Sequence, residues 1–272
     1  MKKHHILYIA ITALTLGGCS SAGSSLANAI TDPLTPKPHG KTTLAINDQN
    51  GNGLLRTGND VADTINIAGR NYGNNSTLDI GHLWQNRLTS FQYILKANGR
   101  NLEDGQLEVY KRSYSAIVGA HVRNRYAPDG TQQQAQPNEF QIRSIQGTLT
   151  QENQLPTTGT VRYQGHAFAG SDESNGRLDY SINYGGRTGS GQITGLPDFG
   201  NITLRTGNLD RHNSNITGVA ESQRRGNGNY HLNIFGPNAN EIAGKAHNFT
   251  TQQNGGNLIY NREVGFSGSR VN

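Results

Sequence analysis

Arg177-Leu178-Asp179-Tyr180-Ser181-Ile182-Asn183-Tyr184 sets a large apolar or aromatic side chain at every second position, with polar or charged residues between. Successive side chains of a strand point to opposite faces, so this period of two marks a strand with one face buried. Upstream, Thr160-Val161-Arg162-Tyr163-Gln164 repeats the pattern. Downstream, Gly191-Gln192-Ile193, Asn201-Ile202-Thr203-Leu204-Arg205, residues 215–220 and Tyr230-His231-Leu232-Asn233-Ile234 carry it on. Glu241-Ile242-Ala243-Gly244-Lys245-Ala246 and a last segment over 258–268 complete a set of eight, with turn residues between them. Such spacing predicts an antiparallel sandwich or barrel. Gly165, Gly218 and Gly244 fall in phase with the apolar residues. An eight-stranded barrel is just wide enough inside for side chains, so glycine where strands crowd fits closure. Closure also removes the sheet edges that invite aggregation. Residues 156–272 are therefore expected to form a closed eight-stranded antiparallel β-barrel.

Composition agrees. The 272 residues include 35 Gly and only 16% charged residues, a bias toward short strands and turns rather than helices. A single Cys excludes a disulfide framework and a Cys-based zinc site. Hydrophobic residues at 33% suffice for a core of modest size, and the length allows one or two domains. Ahead of the barrel, residues 41–150 read as a second β region. It is irregular at first, then alternates in Phe91-Gln92-Tyr93-Ile94-Leu95 and Gln106-Leu107-Glu108-Val109-Tyr110. Asn98-Gly99 and Asp104-Gly105 are expected to supply turns, and the polar stretch 127–138 a mobile loop.

The start of the chain belongs to no fold. Met1-Lys2-Lys3-His4-His5 followed by the apolar run 6–16 has the length of a signal peptide and is too short to span a bilayer. The run closes on Leu16-Gly17-Gly18-Cys19, which resembles the bacterial lipobox. Residues 1–18 are thus expected to be cleaved, leaving Cys19 lipidated with palmitate among its acyl chains. Each buried CH₂ contributes about 0.8 kcal/mol, so several chains hold a protein firmly at a membrane. Ser20-Ser21 lacks the Asp that retains lipoproteins at an inner membrane, which points by analogy to the outer membrane. Residues 19–40, with Pro33, Pro36 and Pro38, read as the lipidated tether. Loss of Lys2 and Lys3 lowers the formal net charge from +5 to +3, and no block of basic residues supplies a nucleic-acid footprint.

Catalytic patterns are missing. The histidines are scattered, and His231 and His247 fall on the polar phase of their strands, where solvent exposure is expected. No Gly-x-Ser-x-Gly precedes a helix pattern, so no enzyme is expected. Asp48-x-Asn50-x-Asn52-Gly53 imitates the first half of an EF-hand loop. The bidentate Glu needed at position twelve is Asn59, so a polar turn is expected and no metal or cofactor. Glu241 lies out of phase with Ile242 and Gly244, and its carboxylate is expected to face solvent.

Several strings in order along the chain resemble the meningococcal factor H binding protein family. They are Ser25-Leu26-Ala27-Asn28-Ala29-Ile30-Thr31-Asp32-Pro33-Leu34, Ser90-Phe91-Gln92-Tyr93-Ile94, Leu107-Glu108-Val109-Tyr110-Lys111-Arg112-Ser113-Tyr114-Ser115-Ala116 and Tyr163-Gln164-Gly165-His166-Ala167-Phe168. Leu178-Asp179-Tyr180-Ser181-Ile182 and Phe235-Gly236-Pro237-Asn238-Ala239-Asn240-Glu241-Ile242-Ala243-Gly244 complete the series. The resemblance implies an all-β, monomeric surface lipoprotein with an open, barrel-like N-terminal antiparallel sheet before the closed barrel. It also implies binding of host complement factor H, which protects the bacterium from complement and makes the protein a virulence factor. By this resemblance Glu241 matches an acidic contact position for factor H, while a second acidic position aligns with Gly226. The Phe-Gly-Pro wording also occurs in transferrin-binding and haemophore-like lipoproteins. It implies an alternative, an iron-acquisition accessory that binds transferrin, haemoglobin or haem.

Overall fold

The structure, a computed structural model, describes residues 40–47, 53–57, 60–136, 138–253, 256–259 and 261–271. The signal segment, Cys19 and the tether lie outside these, as do Asn59 and all of the EF-hand-like stretch except Gly53.

The first strands are short: β1 (Thr43–Ala45), β2 (Arg56–Thr57), β3 (Asp60–Val61), β4 (Thr64–Ile67), β5 (Arg70–Gly73) and β6 (Thr77–Asp79). Longer ones follow: β7 (Leu88–Ala97), β8 (Arg100–Lys111), β9 (Ser115–Tyr126), β10 (Gln132–Gln134) and β11 (Phe140–Gly147). β1 pairs with β6 and β2 with β3, while a seven-stranded antiparallel sheet runs β10-β9-β8-β7-β4-β5 with β11 also on β9. Asn98-Gly99 turns the β7–β8 hairpin with positive φ at both residues, 51° and 77°, as the chemistry of that pair predicts.

Asp104-Gly105 does not turn. It lies inside β8, where the register shifts against β9. Its acidic neighbours are satisfied across the sheet instead. Glu103, fully buried, accepts from Tyr93 Oη at 2.6 Å, Arg143 Nη2 at 2.6 Å and Arg125 Nη1 at 3.0 Å. Asp104 accepts from Asn124 at 3.1 Å and Tyr126 Oη at 2.5 Å. The stretch expected as a loop also contributes β10, a strand with exposed side chains laid on the end of β9.

The barrel is built from β12 (Thr160–Phe168), β13 (Gly176–Asn183), β14 (Thr188–Leu196), β15 (Gly200–Asp210), β16 (Asn215–Ser222), β17 (Gly226–Phe235), β18 (Glu241–His247) and β21 (Val264–Val271). It closes antiparallel from β21 back to β12. Between β18 and β21, β19 (Thr250–Gln253) and β20 (Gly256–Ile259) form a separate ribbon. The last expected strand therefore begins later than the sequence pattern suggests.

Inside the barrel four tyrosines are fully buried with their hydroxyls in use. Tyr163 and Tyr184 share a hydrogen bond of 2.8 Å, Tyr163 donates to Ala239 O at 2.9 Å, and Tyr180 and Tyr230 lie 3.0 Å apart. Burial pushes Tyr184 up to about 12 and Tyr163 and Tyr180 well above the usual phenol range. All four stay neutral. Their bulk explains the glycine at position 218, where a Cβ would stand 2.5 Å from the Tyr230 ring.

Candidate functional site

The turn that follows β17 carries Gly236, Asn238 and Ala239 at positive φ and delivers the chain into β18 at Glu241. Ile242, Gly244 and Ala246 then point inward, so Glu241, Ala243 and Lys245 point outward, as period two requires. Outward here is not toward water. The outer faces of β18 and β21 pack against β9 and β11 of the N-terminal sheet. Ala243 and Ser267, on that outward phase, are buried, and Ile117, Phe140, Ile142 and Ile145 join the barrel's hydrophobic cluster.

Glu241 is accordingly 3% exposed, which overturns the expectation of a solvent-facing carboxylate. Alternation gives the phase of Glu241 but carries no trace of the covering layer. Its carboxylate accepts from Ser113 N at 3.0 Å, Tyr114 N at 3.1 Å and Ser115 Oγ at 3.0 Å. Arg112 Nε lies 4.0 Å away. The Arg112 guanidinium reaches on to β21, donating to Ser267 O at 3.4 Å and to Ser269 Oγ. Two backbone amides, a hydroxyl and a guanidinium thus stand in for the water that a buried carboxylate loses. The arrangement clamps the β8–β9 turn onto the barrel.

A second clamp sits further along the same seam. Phe140 N donates to Asn261 O at 3.1 Å and Glu263 N to Phe140 O at 2.8 Å, while Glu263 accepts from Ile142 N at 2.6 Å and lies 3.2 Å from Lys245 Nζ. Arg262, buried between them, holds both Asp172 oxygens at 2.7 Å and donates to Ala169 O at 2.8 Å. Glu173 and Asp198 complete its surroundings at 3.5 and 3.4 Å. Nearby, Glu108 Oε1 accepts from Ser171 N at 2.9 Å, while its other oxygen is buried without a partner. Burial pushes Glu108 and Glu173 above the usual carboxylate range.

His231 and His247 are half-buried rather than exposed, and burial lowers both. Among the described residues no cluster of three or more His, Cys, Asp or Glu side chains is arranged to hold a metal ion. Gly226 opens β17 at φ +69°, and a Cβ there would meet Thr250 O at 2.3 Å. A glutamate could enter this position only by moving the backbone.

The partners of Glu241 were not read from the sequence, for they lie 126 to 128 positions away. The string 107–116 contains them, but nothing in it names the strand they would meet.

Residues 153–246 match the family model for factor H binding protein, C-terminal. The match takes in the barrel from β12 through most of β18 and stops before β21. Among solved structures, the chain is similar to intact Ap-TbpB with its N and C lobes, at 16% identity and a TM-score of 0.44 over 79% of this chain and 43% of that one. The haemoglobin receptor HpuA from Kingella denitrificans matches at 13% identity and a TM-score of 0.40, over 68% of this chain and 84% of that one. Isotype 1 transferrin binding protein B from serogroup B Neisseria meningitidis matches at 14% identity and a TM-score of 0.41, over 78% and 44%. The chain spans less than half the length of either transferrin-binding structure.

Proposed function

We propose that this chain is an outer-membrane lipoprotein, anchored through Cys19 and displayed on the cell surface, that binds host complement factor H and so protects the bacterium from complement. The observation that carries the reading is the match of residues 153–246 to the C-terminal domain of factor H binding protein. The ordered strings before the barrel and the lipobox at Cys19 support it. A non-enzymatic binding role also suits a barrel whose interior is filled by side chains rather than ligand.

Glu241 takes part in this reading by fixing the 112–115 turn, not by reaching across to the partner. Its carboxylate orients Ser113 and Tyr114 through their amides, and the neighbouring surface then presents one shape to factor H. On this reading Glu241 is a positioning residue. The deciding experiment passes human factor H, and factor H from other mammals, over the immobilised protein. Binding in the micromolar range or tighter is expected. Glu241→Ala is expected to weaken it about tenfold, close to 1.4 kcal/mol. Absence of binding from every source would remove the reading. Capture of transferrin, haemoglobin or haem in its place would establish the iron-acquisition alternative.

A further inference from the structure

Where the sheet meets the barrel, a polar cleft of about 500 Å³ opens between the 86–88 segment, Tyr110, β12 and the start of β13. It shares His166 and Arg177 with a second hollow of about 490 Å³ on the outer face of β12 and β13. Two guanidiniums, Arg87 and Arg177, stand at the cleft, both exposed. Neither has a carboxylate or hydrogen-bond partner among the described residues. Arg162, Arg205, Arg225 and Arg262, by contrast, each pair with an acidic side chain.

Tyr110 lines the cleft, buried. Its hydroxyl has no partner in hydrogen-bonding geometry, and neither has Arg112 Nε beside it. The Tyr110 ring tilts against His166 at 6.0 Å and Phe168 at 5.6 Å. Asn86, Ser174 and Asn175 add neutral donors and acceptors. The carboxylates close by are already engaged. Asp179 is forked onto Arg162, Glu241 is held by the 113–115 turn, and Glu108 accepts from Ser171. Burial, and after it the charges of Arg112 and Arg177, hold His166 below the usual imidazole range.

Such a set does not suit every anion. A polyphosphate needs a denser group of cations, and a fatty acid needs an apolar wall that Leu88 and Phe168 alone do not make. Two guanidiniums match one or two carboxylates, and the amides and hydroxyl match ring hydroxyls. The volume suits one or two sugar rings. We infer that this cleft binds an acidic sugar, its carboxylate between Arg87 and Arg177 and its hydroxyls on Asn86, Ser174 and Asn175. The inference stands independently of factor H binding. The sugar could arrive as a free oligosaccharide or as the end of a glycoprotein chain.

The full-length protein is titrated with N-acetylneuraminic acid and glucuronic acid, with lactose as the neutral control. Trp84, the only tryptophan of the chain, lies three positions before Arg87 in sequence, is 37% exposed and serves as the fluorescence probe. Saturation by an acidic sugar but not by lactose is expected, with the His166 imidazole titrating at higher pH in the complex. Arg87→Ala and Arg177→Ala should each weaken binding about tenfold or more. Thermal unfolding should be unchanged in both, because neither residue is paired. Sialyllactose set against a sialylated glycoprotein and its desialylated form separates the two sources. Lactose binding equally well, no acidic sugar binding up to about 10 mM, displacement by inorganic phosphate at equal concentration, or an unaffected Arg87→Ala/Arg177→Ala variant would each overturn the assignment.

Discussion

Changing Glu241 to Gln alters one atom and a charge, yet it places an NH₂ group against amides that can only donate. Ser113 and Tyr114 each give an N–H to a different carboxylate oxygen, so one is left facing a donor. Leaving a buried group unmatched costs about 1–3 kcal/mol. In a unit of this size, 37–272, each kcal/mol lowers Tm by about 2–4 °C. Glu241→Gln is therefore expected to unfold several degrees earlier by calorimetry, and an unchanged Tm would show that the carboxylate holds nothing. This residue also marks how far a sequence reading reaches. Alternation told which side of β18 Glu241 is on; it could not tell that the side is covered by a sheet from the other half of the chain. Gly226 is the converse case, a position judged by chemistry whose constraint is a backbone angle and a facing carbonyl.

Strands are where the sequence was most informative. Each of the eight barrel strands carries at least one Tyr, Ile, Leu or Phe on its inward face, and all but the last are legible as short runs of period two. What failed were punctuation marks. Asp104-Gly105 has turn chemistry, but Asn124 and Tyr126 receive the aspartate across the sheet and the strand runs through. The tail of the chain reads as one strand because apolar residues run through both β20 and β21, although only β21 closes the barrel. The inward glycines offer a test of closure itself. Gly218→Val drives a branched side chain into the Tyr230 ring, where a Cβ alone stands at 2.5 Å. Overpacking of this kind costs about 1–3 kcal/mol or more. Val219→Thr, one position on and largely exposed, should stay within about 0.5 kcal/mol. Urea midpoints of the two variants measure the contrast, and equal midpoints would contradict a packed interior behind β16.

Across the whole molecule, acid acts through two opposed groups. Glu108 and Glu173 have folded values raised by burial, so the fold resists their charged forms. Their contribution is fully present below the ordinary carboxylate range and is lost as pH rises through the folded value. His231 and His247 are lowered, so theirs is present above the ordinary imidazole range and lost as pH falls through the folded value. Comparing Glu108→Gln with the parent at each pH isolates the first. The variant is expected to be more stable by about 1 kcal/mol at pH 7, with the advantage gone below the carboxylate range. A variant less stable at pH 7 would show that Glu108 is held charged. The seam that Glu108 lines has one more consequence. Its two sides come from positions as far apart as 113 and 241, so an antibody that straddles it recognises an epitope no linear peptide contains. Such a serum would go blank on a denatured blot while still binding the folded protein.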